Sequence, residues 1–210
     1  MDQDIVANSA QYPVLYESTK RTLDIFLSAA GLILAAPIMT VTAFAIRSTS
    51  PGPVIFRQER IGKGGQTFVI YKFRSLRAGS EAFGSPTLPD DPRITRVGRF
   101  IRPMHIDELP QLWNVIIGEM SLVGPRPMSL QRYRDIEELI PEYRARLCVK
   151  PGLTGMAQID PSSKWRDAGT KKRFALDLEY IQKRSLMLDL YILTETILVV
   201  AHKVSVGPKR

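Results

Sequence analysis

The chain holds one cysteine and two histidines in 210 residues. Cys148 has no partner for an internal disulfide, and no second cysteine supplies a zinc pattern, so a reducing compartment is the simplest setting. His105 and His202 are too few and too far apart to suggest a metal cluster. A serine elbow, an HExxH helix and a Walker loop are all missing, which removes the commonest hydrolase, metalloprotease and P-loop readings. There is no internal repeat, heptad pattern or low-complexity tract. Disorder throughout is excluded by a hydrophobic content of 44%, enough at this length to bury one core.

What is present is a charge of +8, spread unevenly: residues 1–46 carry 2 basic and 4 acidic side chains, whereas residues 47–103 carry 11 and 4. Seven of the eight excess charges therefore lie in one central block. Nucleic acid, an anionic membrane surface and a phosphorylated small molecule all present negative oxygens to such a block, and charge does not choose among them.

Residues 25–46 form a run of 22 without a charge, about 33 Å of helix at roughly 1.5 Å per residue, comparable to a bilayer's hydrocarbon thickness. A signal peptide is disfavoured, because a polar stretch precedes the run and a basic one follows. Lys20 and Arg21 stand before it and Arg47, Arg57, Arg60 and Lys63 after it, so the distribution of basic residues gives no clear orientation. Pro37, at the middle, removes one backbone hydrogen bond and bends the helix. A bent helix that enters and leaves by one face and a kinked spanning helix both fit these residues.

Beyond the turn cluster Ser50-Pro51-Gly52-Pro53, two short strands at 54–56 and 67–71 are predicted, joined through Gly62-Lys63-Gly64-Gly65 as a hairpin. Residues 84–92 read as loop. A helix is predicted over 107–117, begun by an acidic cap and ended by Gly118, and a charged helix over 128–147, interrupted near Pro141. Residues 186–204 are apolar but hold Asp189 and Glu195, which favours a core or interfacial helix over a second span.

One grouping could carry chemistry. Arg99, Arg102, the adjacent carboxylates Asp107 and Glu108, and Arg126 between two prolines fall within 28 residues. Carboxylates can hold a divalent metal or attack phosphorus, while arginine forks neutralise phosphate oxygens bidentately. The plainer alternative is that Asp107 caps a helix and Glu108 answers its dipole, with the arginines solvated.

The stretches HIDELPQLWNV at 105–115 and GEMSLVGPRP at 118–127 resemble the bacterial sugar transferase family of monotopic phosphoglycosyl transferases. So do Pro51-Gly52-Pro53, YKFRS at 71–75, DPRIT at 91–95 and KPGLTG at 150–155, in the same order. The resemblance implies an α+β, mostly helical fold: one N-terminal re-entrant membrane helix, a small β-hairpin and interfacial helices. It implies a polar segment at 1–20, the re-entrant helix at 21–47 with Lys20, Arg21 and Pro37 at the re-entry positions, and a cytoplasmic catalytic domain at 48–210. By the same resemblance Asp107 and Glu108 form a catalytic dyad working with Mg2+, which Asp107 binds, and Asp107 attacks the phosphate bearing the sugar. Glu108 assists, Arg102 and Arg126 hold phosphate, and Lys72 and Arg74 join them less firmly.

The expected reaction moves a sugar 1-phosphate from a UDP-sugar to undecaprenyl phosphate, a polyprenol phosphate, releasing UMP, as the first membrane step of a bacterial glycan. The expected partners are those two substrates and membrane lipids, with no nucleic acid; a homodimer is left open. The expected location is the cytoplasmic face of the inner membrane, in a minimal catalytic form without the N-terminal transmembrane bundle of longer relatives. The sequence departs from the family pattern at 159–165, which removes any sugar assignment by analogy.

Overall fold

The computed structural model describes residues 14–77, 79–80, 91–160 and 169–206. The polar residues 1–13, most of the loop expected at 84–92 and most of the divergent stretch at 159–165 lie outside them. The described chain is α+β and mostly helical.

Helix α1 (Val14–Thr49) is longer at both ends than the expected 21–47. It is rich in alanine, leucine and isoleucine, and Thr40, Ser48 and Thr49 return their hydroxyls to carbonyls four residues back. The helix runs through Pro37 rather than ending there. Its burial is inside out. The buried stripe is Asp24, Ser28, Thr42 and Ile46, mostly polar, while Phe26, Ile33, Leu34, Val41 and Phe44 are between 69% and 81% exposed. A helix folded for water does the reverse, so this surface suits a membrane.

The hairpin forms as predicted, with β1 (Ile55–Ile61) antiparallel to β2 (Thr67–Phe73) in a register that sets Phe56 opposite Lys72 and Arg60 opposite Phe68. Helix α2 (Arg96–Ile101) follows, capped by the Thr95 hydroxyl, which accepts from the Gly98 N–H at 2.9 Å. The helix predicted over 107–117 is instead two pieces. Asp107 and Glu108 sit in a 3-10 turn (Ile106–Glu108), and α3 (Gln111–Ile117) starts only after Pro110. Proline cannot donate to the carbonyl four residues back, so the segment bonds at shorter reach, Glu108 N–H to His105 O at 3.0 Å and Leu109 N–H to Ile106 O at 3.2 Å. Asp107 is therefore no cap of α3, whereas Gly118 closes that helix as expected, in the left-handed conformation (φ 92°).

Strand β3 (Ser121–Val123) pairs in parallel with β4 (Gly152–Thr154), a second sheet that the sequence did not announce. Between them lie α4 (Leu130–Leu139) and a 3-10 stretch (Pro141–Cys148), matching the interrupted helix expected there. Helices α5 (Met156–Ile159), α6 (Gly169–Lys183) and α7 (Leu186–Val206) complete the fold. The main core joins Phe68 and Ile70 of β2, Leu112 and Val115 of α3, Leu122 and Val123 of β3, Tyr180 and Ile181 of α6 and Ile192 of α7. On α7, the buried Asp189 accepts from Lys20 at 2.8 Å and from Tyr180 at 2.8 Å, which satisfies the carboxylate that argued against a span.

Both ends of α1 rest on this one domain. Near the N-terminal end, Arg21 donates to the Val115 and Ile116 carbonyls at 2.6 Å each, and the Asp24 carboxylate accepts the Leu122 N–H at 3.0 Å. Near the other end, Ile46 packs with Phe73, Ile101 and Ile106, and the Arg74 guanidinium donates to the Ser50 carbonyl at 2.8 Å. Asp24→Ala leaves a buried N–H without an acceptor and lowers stability by about 1–3 kcal/mol. A thermal midpoint in detergent unchanged by this variant would mean that α1 does not dock as described.

Candidate active site

Of the residues singled out by sequence, Lys72, Arg102, Asp107 and Arg126 converge around Glu108. Its carboxylate accepts from Lys72 Nζ at 2.8 Å and from Arg126 Nη2 at 2.6 Å, with Arg126 Nη1 at 3.4 Å from its second oxygen. Burial pushes this carboxyl up, but the Arg126 and Lys72 cations outweigh it and hold it well below the usual range. Glu108 is thus a fixed anion. Asp107, beside it and buried, accepts no hydrogen bond from any described residue. Burial and then the Glu108 charge raise its carboxyl to about 6, with Lys72, Arg102 and Arg126 pulling the other way.

Each member is placed by a local device. His105 adopts the left-handed conformation (φ 56°) that turns the chain out of α2 into the 3-10 turn; a non-glycine residue there is strained by roughly 1–3 kcal/mol. Gly98 permits α2 to lie on the segment after β2, since a Cβ there would stand 2.1 Å from the Ser75 carbonyl. That contact brings Arg102 Nη1 to 3.3 Å from Ser75 Oγ. Asn114, fully buried, ties α3 to β2: its amide donates to the Val69 carbonyl at 2.7 Å and its oxygen accepts the Tyr71 N–H at 3.2 Å, next to Lys72. Arg126 is held from behind. Arg146 donates to its carbonyl at 3.0 Å and forms a buried pair with Asp177 at 2.7 Å.

Arg74 is not in this cluster. Its buried guanidinium bonds Ser50 and so pins the end of α1. Lys20 and Arg21 bind Asp189 and the end of α3, also away from the dyad. Sequence reasoning missed Asn114, Arg146 and Asp177. Asn114 lies inside the quoted HIDELPQLWNV stretch and could have been flagged as a buried polar residue on an apolar helix, while the Arg146–Asp177 pair spans 31 residues and carries no local signal.

The two carboxylates do not build a protein cage for a metal; among the described residues no group of three or more His, Cys, Asp or Glu side chains could hold one. They do fit magnesium, which keeps several waters and takes substrate phosphate oxygens as ligands. The unbonded Asp107 is the acid free to bind it.

The site is an adjacent pair of acids in a frame of lysine and arginine, on a domain that turns the apolar face of a 36-residue helix outward. The chain belongs to the bacterial sugar transferase family, whose model matches residues 15–203. It is 42% identical over 184 residues to a UDP-N-acetylgalactosamine-undecaprenyl-phosphate N-acetylgalactosaminephosphotransferase of Aeromonas hydrophila, covering 87% of this chain and 44% of that protein. It is 41% identical over 187 residues to the exopolysaccharide production protein PSS of Rhizobium leguminosarum bv. phaseoli, covering 85% of this chain and 92% of that one. A UDP-glucose:undecaprenyl-phosphate glucose-1-phosphate transferase of Escherichia coli (strain K12) is 41% identical over 181 residues, 85% of this chain and 39% of its own length. The chain therefore spans less than half of two of these relatives and nearly all of the third.

Two stability predictions follow from the geometry. Asp177→Ala leaves the Arg146 guanidinium buried without its counter-charge and costs about 3–5 kcal/mol; a thermal midpoint near wild type would show that the pair is not buried. Asp107→Asn acts in the opposite direction. A carboxyl raised to about 6 binds its proton more tightly folded than unfolded, so its ionised form costs stability above that pH. The variant is more stable than wild type at pH 7.5 by about 1–3 kcal/mol, and the difference closes near pH 4. A destabilised variant at pH 7.5 contradicts the assignment.

Proposed function

We propose that this protein transfers a sugar 1-phosphate from a UDP-sugar to undecaprenyl phosphate through a phosphosugar carried on Asp107. The observation that carries the reading is the division of labour in the dyad: Glu108 is tied by two cations, while Asp107 is buried beside the same cations with no hydrogen bond from the described residues. A carboxylate held away from water and left unbonded is a nucleophile in waiting.

In the first half-reaction an Asp107 oxygen bonds to the phosphorus that carries the sugar, and the bond between the two phosphates breaks. Its electron pair leaves with UMP. In the second, an oxygen of the polyprenol phosphate bonds to the same phosphorus, the Asp107 carboxylate departs, and a polyprenyl diphosphosugar results. Lys72, Arg102 and Arg126 supply fixed positive charge where the phosphoryl oxygens gather negative charge. Glu108 keeps Lys72 and Arg126 aimed, and its own low proton affinity keeps it from competing for the incoming group's proton. Magnesium held by Asp107 and substrate phosphates would offset the repulsion between carboxylate and diphosphate.

The names of relatives at 42% and 41% identity specify N-acetylgalactosamine and glucose, so overall similarity does not select the sugar. A monotopic placement on the cytoplasmic face is supported by α1: a domain that touches Arg21 and Asp24 at one end and Ile46 and Ser50 at the other lies along the helix, an arrangement that favours both helix ends on one face of a bilayer. Nucleotide sugars are cytoplasmic, which favours that face.

Purified protein in detergent, given magnesium, undecaprenyl phosphate and a panel of UDP-sugars, releases UMP with at least one sugar, and Asp107→Asn releases none. Full activity in that variant would sink the covalent route. Arg126→Ala lowers turnover on the order of 10²-fold, as loss of a charge-stabilising donor does.

A further inference from the structure

One cation beside the dyad has no part in the account so far. Arg60, on β1, stands opposite Phe68 and on the same hairpin face as Lys72, because residues 56, 58 and 60 share a face with their cross-strand partners 72, 70 and 68. The end of β1 is stitched to the Pro125-Arg126-Pro127 segment by the Ile61 N–H, which donates to the Met128 carbonyl at 2.9 Å. That bridge sets Arg60 next to Arg126. Among the described residues its guanidinium bonds Gln58 and no carboxylate, and its buried Nε has no partner. Burial and then the Arg126 charge pull it down to about 10, with Glu108 opposing and Arg132 of α4 adding to the effect, so it remains cationic at neutral pH.

The charge balance is lopsided. Among the described residues, Asp107 and Glu108 are the acids whose charges are felt here, against Lys72, Arg102, Arg126 and Arg60. Lys72, Arg102 and Arg126 act on Asp107, whereas Arg60 pairs with Phe68, four residues along the hairpin from Lys72, and acts on Arg126 and Glu108. A surplus of positive charge with a near part and a far part matches an anion with two phosphates in a row.

We propose that Arg60 is the subsite for the phosphate that is not transferred, the one bonded to the reacting phosphorus from the side away from Asp107. This rests on the transfer proposed above. Phosphoryl transfer runs with attacking and leaving oxygens roughly in line. The nucleotide's own phosphate leaves opposite Asp107, and in the second half-reaction the lipid phosphate attacks from that same side. One subsite therefore serves both phosphate monoesters in turn, recognising the phosphate and not the uridine or the polyprenol.

The test compares Arg60→Gln and Arg60→Lys with Arg57→Gln, whose exposed side chain lies on the other hairpin face over the Tyr71 ring. Arg60→Gln raises KM for the UDP-sugar, KM for undecaprenyl phosphate and the inhibition constant of UMP roughly tenfold each, the usual weight of a charge-assisted hydrogen bond. Arg60→Lys recovers part of the loss, and Arg57→Gln matches wild type. Should Arg60→Gln not fold, judged by its thermal midpoint, Arg60→Lys keeps the charge and still weakens UMP inhibition through loss of the fork. Unchanged UMP inhibition in both Arg60 variants overturns the subsite. A shift in the donor alone or the acceptor alone overturns its shared use. Wild-type protein that neither releases nor binds UMP overturns the transfer itself, a separate result.

Discussion

Glu108 held between Lys72 and Arg126 is the interaction on which the site depends. It joins three stretches distant in sequence: β2, the turn after α2, and the proline-flanked segment after β3. A partly buried ion pair gains little net stability by itself, since desolvation offsets most of the attraction. Its value is geometric. With Glu108 committed to two cations, the adjacent Asp107 is the carboxylate that accepts no hydrogen bond from the described residues, and the same two cations act on it.

The supports behind that pair are themselves buried polar contacts. Asn114 fixes the distance between β2 and α3, Arg146 with Asp177 holds the Arg126 carbonyl, and the left-handed His105 turns the dyad inward. Each costs desolvation or strain that a purely structural core would avoid. The same economy governs α1, whose polar residues face the domain and whose apolar residues face outward. In the membrane placement proposed for α1, a helix clamped at both ends to one domain would hold the dyad at a fixed height relative to the bilayer surface, where a lipid phosphate resides.

Much of the fold was legible because its signals are local. The apolar run, the hairpin around Gly62-Lys63-Gly64-Gly65 and the stop at Gly118 depend on residues a few positions apart. The dyad's setting was misread, since the acid-then-apolar pattern at 107–117 looks like a capped helix until Pro110 breaks the hydrogen-bond ladder. The β3–β4 pair was invisible because each strand has three residues and Pro151-Gly152 reads as a breaker. Arg74 shows the limit of motif transfer: it sits two residues from Lys72, where a continued strand would put both on one face, yet it lies just past the end of β2 and bonds Ser50 instead. Arg146 and Asp177 meet only because α6 folds back on the 3-10 stretch.

The most direct test of the central claim is mass spectrometry of acid-quenched protein after incubation with magnesium and the active UDP-sugar, in the absence of any polyprenol phosphate. The account predicts a mass increase of one sugar phosphate on the peptide containing Asp107, removed when undecaprenyl phosphate is added before quenching. Label on Glu108, or UMP release that requires the lipid acceptor and leaves the protein unlabelled, would contradict it.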